Sequence, residues 1–156
     1  MPPETPEIAP DAERLRQLVQ AFVRRFGLLL EGQTPCGQPV STSYAHALMF
    51  LLEAGGARQS ELGGALGIDK SNVTRLCAQM EQKGHIEQAR VPEDGRARLV
   101  SLTARGRRLA ESVQRSSKQR FVELLERIPP RRRRTVLAGL AALDAALVAG
   151  PERLAS

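Results

Sequence analysis

Apolar residues recur at three- and four-residue steps through most of this chain, and that recurrence predicts helices. Leu15, Leu18, Val19, Phe22, Phe26, Leu29 and Leu30 form one stripe with Arg14, Arg16, Arg24 and Arg25 off it, so a long amphipathic helix is expected after an N-cap at Asp11. The Gly- and Pro-rich stretch from Gly32 to Pro39 ends it. Ser41, Thr42 or Ser43 can cap a second helix running to about Ala54. It is apolar on nearly all sides at Leu48, Met49, Phe50, Leu51 and Leu52, and is therefore central. After Gly55-Gly56, two shorter helices are expected around Gln59 to Leu66 and Asp69 to Lys83, separated only by Gly67-Ile68. Ile86 to Val91 and Arg98 to Leu102 read as short strands joined at Pro92-Glu93-Asp94-Gly95, whose Asp-Gly pair signals a hairpin turn. Thr103 caps a long helix to about Arg127 with Leu109, Val113, Phe121, Leu124 and Ile128 inward; Pro129-Pro130 breaks it before a last Leu- and Ala-rich helix ending near Gly150.

These elements predict a mostly α fold with a small β-wing (α+β): a winged helix-turn-helix lobe on a helical region, six helices in all. The fourth helix carries the chemistry. Val73, Leu76, Cys77 and Met80 fall on one face and leave Ser71, Asn72, Thr74, Arg75 and Gln79 polar, with Lys70 at its start. Asn and Gln pair with adenine edges, Arg with guanine, and Ser or Thr with phosphate or base. An ordinary surface helix shows the same stripe, so the hairpin that follows decides between the two readings. It bears Arg90, Arg96 and Arg98, suited to the narrow, electronegative minor groove.

Charge points the same way. The chain has a formal net charge of +6, and Gly55 to Arg108 holds ten Lys/Arg against six Asp/Glu, so the excess concentrates in the lobe. Aromatics make up only 3%, which leaves the core to aliphatic residues. The longest apolar run, Ala47 to Leu52, falls far short of the ~20 residues of a membrane span. No secretory pattern opens the chain, and a cytoplasmic, nucleoid-associated protein without a membrane partner is expected. Cys36, Cys77, His46 and His85 give no metal-ligand spacing, no disulfide framework and, with no nucleophile elbow or carboxylate pair, no catalytic site. Neither metal nor cofactor is expected.

Gln59-Ser-Glu-Leu through Gly67-Ile-Asp-Lys-Ser-Asn-Val-Thr-Arg-Leu, then Asp94-Gly-Arg-Ala-Arg-Leu-Val-Ser-Leu-Thr-Ala-Arg-Gly106, resembles the MarR family of bacterial regulators. Its wing motif, Asp-x-Arg followed by Leu-Thr-x-x-Gly, is specific, and the likeness spans about Asp11 to Ala149. The resemblance implies a DNA-binding regulator, read as a repressor. It would act as a homodimer on a near-palindromic stretch of double-stranded DNA, with the first, fifth and sixth helices interlocked. It implies a lobe at residues 55–108 and dimerisation helices at 11–31 and 109–149 of a domain covering 11–150. A flexible segment at 1–10 and a tail at 151–156 flank that domain. Lys70, Ser71, Asn72, Thr74, Arg75, Gln79, Arg90, Asp94, Arg96 and Arg98 are the expected DNA contacts, Asp94 holding the Arg96 guanidinium.

The resemblance also implies release by a small anionic or phenolic ligand, with Phe22, Phe26, His46 and Phe50 as candidate lining of a mainly aliphatic pocket. Val136, Leu137, Leu140, Leu143 and Leu147 exceed what a thin helical region would bury in one copy, in keeping with a dimer. Gly63-Gly64 and His85 depart from the family pattern, which usually has a small Ala-type residue and Leu there. Cys77 is expected to be a small buried hydrophobe and His46 a hydrogen-bonded core residue. Cys36 reads as a loop thiol, with a redox thiol as the alternative. Arg131 to Arg134 reads as a solvated face whose cost against the helix dipole Glu123 or Glu126 would offset.

Overall fold

The computed structural model describes residues 8–150, and in them six helices and three strands follow in the order α1 (Ala9–Phe26), α2 (Thr42–Ala54), β1 (Ala57–Arg58), α3 (Gln59–Leu66), α4 (Lys70–Gln82), β2 (Ile86–Val91), β3 (Asp94–Leu102), α5 (Ala104–Glu126) and α6 (Pro130–Ala149). Of the segments expected at 1–10 and 151–156, residues 1–7 and all of the tail lie outside the described residues. Helix α1 begins earlier than the sequence suggests: Ile8 is its N-cap without a side-chain cap, and Pro10 sits in the first turn, where it needs no N–H. Asp11 is therefore a first-turn acid rather than the cap. The helix also ends earlier, at Gly27 with φ 95°, which leaves Leu28 to Leu30 in a turn.

Ser41 caps α2 by accepting from the Tyr44 N–H at 3.2 Å. Tyr44, Ala45, Ala47, Leu48 and Leu51 of α2 are buried, and around them gather Leu62 of α3, Val73, Cys77 and Met80 of α4, Ile86 and Val100 of the sheet, and Ala110 and Val113 of α5. The core therefore sits under the winged lobe. Of the positions expected inward on α5, Val113 is buried and Leu109 and Leu124 half-buried, but Phe121 is exposed, because the C-terminal half of α5 has run past the core. Neither α1 nor α6 buries a single residue.

The sheet is antiparallel, ordered β1-β3-β2. Strand β1 was not legible in sequence: its two residues, Ala57 opposite Val100 and Arg58 opposite Leu99, are too few to show alternation. The hairpin turn sits at Pro92-Glu93, two residues earlier than the Asp-Gly signal, with Val91 paired to Asp94. Proline presets the φ of a turn's second position, and Gly95 has no positive φ. Pairing jumps from Arg90–Arg98 to Val91–Asp94, so residues 95–97 bulge from β3 with Arg96 in their middle.

His85 closes the base of the wing. It is buried, and the Tyr44 hydroxyl donates to its Nδ1. Burial, then the nearby Arg105 and Lys83 cations, hold its pKa below the ordinary value. Burial pushes Tyr44 upward, so the phenol keeps the proton it donates and the imidazole stays a neutral acceptor. Protonating His85 would place a buried charge beside those two cations and reverse its hydrogen bond with Tyr44. Folding stability is therefore expected to be fully present above about pH 6.5, the unfolded histidine value, and to fall as pH drops towards the lower folded pKa. Denaturant midpoints measured across that window check it, and His85→Leu should flatten the fall.

Candidate nucleic-acid interface

Helix α3 ends at Gly67, φ 65°, and α4 starts three residues on with Asp69 as its N-cap, accepting from the Asn72 N–H at 2.8 Å. The glycines flagged as unusual in α3 have different explanations. A Cβ on Gly63 would lie 3.2 Å from Val73 Cγ1, so the absent side chain lets α3 and α4 close tightly, while Gly64 faces open space. Val73, Leu76, Cys77 and Met80 are buried on one face of α4, and burial raises the Cys77 pKa, as suits a small core hydrophobe.

All ten residues expected at the interface are exposed. At 100° per residue, Ser71 and Arg75 lie opposite the buried face, Lys70 and Thr74 on one flank, and Asn72 and Gln79 on the other. Asn72 is partly committed, its side-chain amide donating to Asp69 Oδ2 at 2.9 Å.

Lys70 of α4 and Arg96 and Arg98 of the wing converge on a cleft of about 440 Å³ that Arg58 and Gln59 also line. Ser71, Asn72, Arg75, Gln79 and Arg90 do not reach it. Arg58 and Gln59 escaped the sequence reading because only strand β1, at the sheet edge, brings them beside the wing. Arg90 and Arg98 face each other directly across β2 and β3, an unfavourable like-charge pair unless a polyanion covers it. Among the described residues the one ion pair is Arg16 with Glu13 on α1, so none of the lobe's cations is neutralised by contact. Asp94 differs from expectation: its Oδ1 accepts from the Arg96 backbone N–H at 3.0 Å, not from the guanidinium. An aspartate two residues upstream reaches the main chain more readily than the end of a long side chain. Its effect is to shape the bulge that carries Arg96.

A second cleft, of about 290 Å³, opens between α1, α2 and α5. Phe26 and His46 line it as expected, but Phe22 and Phe50 do not. Phe22 stacks on the outer side of Phe26, centroids 4.9 Å apart, and Phe50 packs against the core. Its lining is less aliphatic than expected, because the Phe121 ring approaches Phe26 to 5.6 Å beside Met49 and Val113. His46 is exposed on the rim rather than in the core. Arg120, unforeseen in sequence, places its guanidinium 5.8 Å from the Phe26 centroid, with a buried Nε that has no hydrogen-bond partner. Cys36 is half-buried in the same wall, its Sγ 2.9 Å from Thr34 Oγ1.

Of the four consecutive arginines, Arg131, Arg132 and Arg134 are exposed, while Arg133 turns back on α5 and its Nε donates to the Leu125 and Ile128 carbonyls at 3.0 and 3.1 Å. The compensation is a cation on the C-terminal carbonyls of α5 rather than the expected Glu123 or Glu126. Among the described residues no cluster of three or more His, Cys, Asp or Glu could hold a metal, and no helix is long and apolar enough to cross a membrane.

Comparison with known proteins agrees with this architecture. A sequence profile of the MarR family matches residues 38–97, from the loop before α2 to the wing. The HTH-type transcriptional regulator YdgJ of Bacillus subtilis is 34% identical over 84% of this chain and 77% of its own length. The crystal structure of a probable transcriptional regulator from Pseudomonas aeruginosa superposes with a TM-score of 0.66 at 26% identity, covering 85% of this chain and 95% of that one. FabT of Streptococcus pneumoniae, solved in complex with DNA, shares the fold at 21% identity and a TM-score of 0.68, over 89% of this chain and 96% of its own.

Proposed function

The chain belongs to the MarR family of DNA-binding transcriptional regulators, and from that premise we propose that it represses transcription as a homodimer, each lobe reading one half of a near-palindromic operator. In this reading α4 enters the major groove with Ser71, Asn72, Arg75 and Gln79 towards base edges. The bulged wing carries Arg96, supported by Arg90 and Arg98, to the minor groove. The DNA-binding unit is residues 55–108, and α1, α5 and α6 supply the dimer contacts. The carrying observation is the convergence of Arg58, Lys70, Arg96 and Arg98 from β1, α4 and β3 on one cleft, with no ion pair among the described residues to neutralise them. FabT binding DNA through the same fold is in keeping with it. Such a protein works in the cytoplasm, on the nucleoid.

The second cleft suits a small anionic or phenolic ligand, since its aromatic wall accepts a ring and Arg120 retains an unused buried donor. Because α1, α2 and α5 all contribute to it, occupancy would bias how the lobes sit on the dimer helices, and hence their spacing on DNA. Cys36 belongs to that wall as an ordinary thiol: among the described residues the other cysteine, Cys77, is buried in the core, so no disulfide partner lies beside it.

Selection of bound fragments from the source genome tests the proposal and yields the operator. On that operator Asp94→Ala is expected to weaken binding about ten-fold, because the bulge presenting Arg96 loses the hydrogen bond that shapes it. Bulk charge predicts the reverse, since a less acidic wing attracts phosphate more strongly. Titration at fixed salt separates the two, and equal or tighter binding by the variant would sink the role given to Asp94.

A further inference from the structure

A chain of hydrogen bonds joins α4 to the wing through the start of α3. Gln88 of β2 donates its side-chain amide to Glu81 Oε2 at 3.0 Å and its backbone N–H to Glu81 Oε1 at 3.3 Å. The Gln59 amide donates to Gln88 Oε1 at 3.0 Å. The Thr74 hydroxyl lies 3.1 Å from Gln59 Oε1 and 2.7 Å from the Lys70 carbonyl, and has one proton to give between them.

The direction of this chain is forced by its acidic end. An ionised carboxylate only accepts, so Gln88 must turn its NH₂ to Glu81 and its oxygen to Gln59. Gln59 must then offer NH₂ to Gln88 and its oxygen to Thr74. The oxygens of Glu81 and Gln88 are thereby engaged within the chain, and each glutamine has a second amide N–H outside it. Together with Lys70, Arg96 and Arg98, the residues of the chain line a third cleft, of about 480 Å³, between α4 and the wing. What the cleft offers a ligand is consequently donors: three cations and two neutral amide N–H groups.

We propose that this cleft cradles a backbone phosphate of the bound duplex, with Gln59 and Gln88 as neutral phosphate donors and Glu81 as the positioning residue that aims them. The inference rests on the duplex-binding reading above and gives it contacts outside both the recognition face and the wing arginines. A strand passing from a major groove occupied by α4 to a minor groove occupied by the wing must cross between the two elements, where this cleft lies. Glu81 is otherwise costly there, a negative charge beside a polyanion, and its bonds to Gln88 account for its presence.

Salt dependence distinguishes a neutral phosphate donor from a cation. Neutral donors displace no counterions, so Gln59→Ala and Gln88→Ala are each expected to weaken binding about ten-fold while leaving the slope of log K against log salt unchanged. The loss should be equal on a labelled random-sequence duplex and on a genome-selected fragment, because phosphates carry no sequence information. Lys70→Ala should instead reduce the slope by about one. Glu81→Gln should weaken binding despite removing a negative charge, because its amide no longer fixes which way Gln88 points. Unchanged thermal midpoints show that the variants are folded, and their exposed or half-buried positions make that the expected result. Glutamine variants that bind like wild type, a loss confined to one sequence, a reduced slope, or tighter binding by Glu81→Gln would each overturn the cradle. A wild-type protein that binds no duplex would overturn the underlying DNA reading, an outcome distinct from all of these.

Discussion

Replacing Gly106 by alanine is expected to destabilise the protein by about 3 kcal/mol or more, a large fraction of the stability of a marginally stable domain. Helix propensity alone argues the opposite, since alanine in a helix is favoured over glycine by about 1 kcal/mol. The local packing overrides that preference. A Cβ at Gly106 would overlap the His85 carbonyl oxygen and lie 2.7 Å from its carbonyl carbon, and these are backbone atoms that no rotamer change can move. The same carbonyl accepts from the Thr103 N–H at 3.1 Å, the Thr103 hydroxyl donates to Gly84 O at 2.6 Å, and Gly106 N–H donates to Thr103 Oγ1 at 3.0 Å. Threonine and glycine in the Leu-Thr-x-x-Gly motif thus serve one junction, where α5 starts against the turn that leaves α4. Gly64→Ala is the internal control: a Cβ there meets nothing within 4 Å, so this substitution should leave stability unchanged or raise it by up to about 1 kcal/mol. Urea denaturation of both variants decides the matter, and a Gly106→Ala protein as stable as wild type would refute the junction.

Leu137→Asp combined with Leu140→Asp is expected to convert a dimer into monomers and to lower operator affinity by about a hundred-fold or more, the gain that two linked half-sites confer over one. Leu137, Leu140 and Leu147 of α6 are 56%, 55% and 63% exposed in the single chain, and Leu15, Leu18 and Phe22 of α1 are 47%, 50% and 46% exposed. Apolar surface on that scale along both helices needs a partner. A second copy fits, because the lobes that would grip DNA are built elsewhere and stay free. Sedimentation of wild type and variant reads the assembly, and titration against the operator reads the consequence. A wild type that sediments as a monomer at micromolar concentration would leave the two-half-site arrangement without a basis.

Helices α2 to α5 were legible along the chain to within a residue or two at most ends, as were the cap at Thr103 and, as one of three candidates, that at Ser41. Their signals are apolar spacing, a capping oxygen or a terminating glycine, which neighbours within one or two turns supply. Where the signal was weaker the boundary moved. Asp11 offered a cap, but Pro10 tolerates the first turn, and α1 starts before it. Asp94-Gly95 offered a turn, but Pro92 takes that role and leaves Asp94 to brace the bulge.

The polar face of α4, the arginines of the wing and the family to which the chain belongs were all present in the sequence, because each is carried by residues close together in the chain. Other features required the folded chain. Strand β1 brings Arg58 beside Leu99, the Glu81–Gln88–Gln59–Thr74 chain crosses three elements, and Arg120 meets Phe26 across a separation of more than half the chain. His85, a departure in sequence, gained its meaning from Tyr44 on α2. Periodicity records which face of an element is apolar, but it is blind to which polar atoms on different elements come within 3 Å. That is fixed only when the aliphatic core draws α2, α3, α4, α5 and the sheet together, and buried or confined polar groups must then find their partners among whatever side chains that packing delivers.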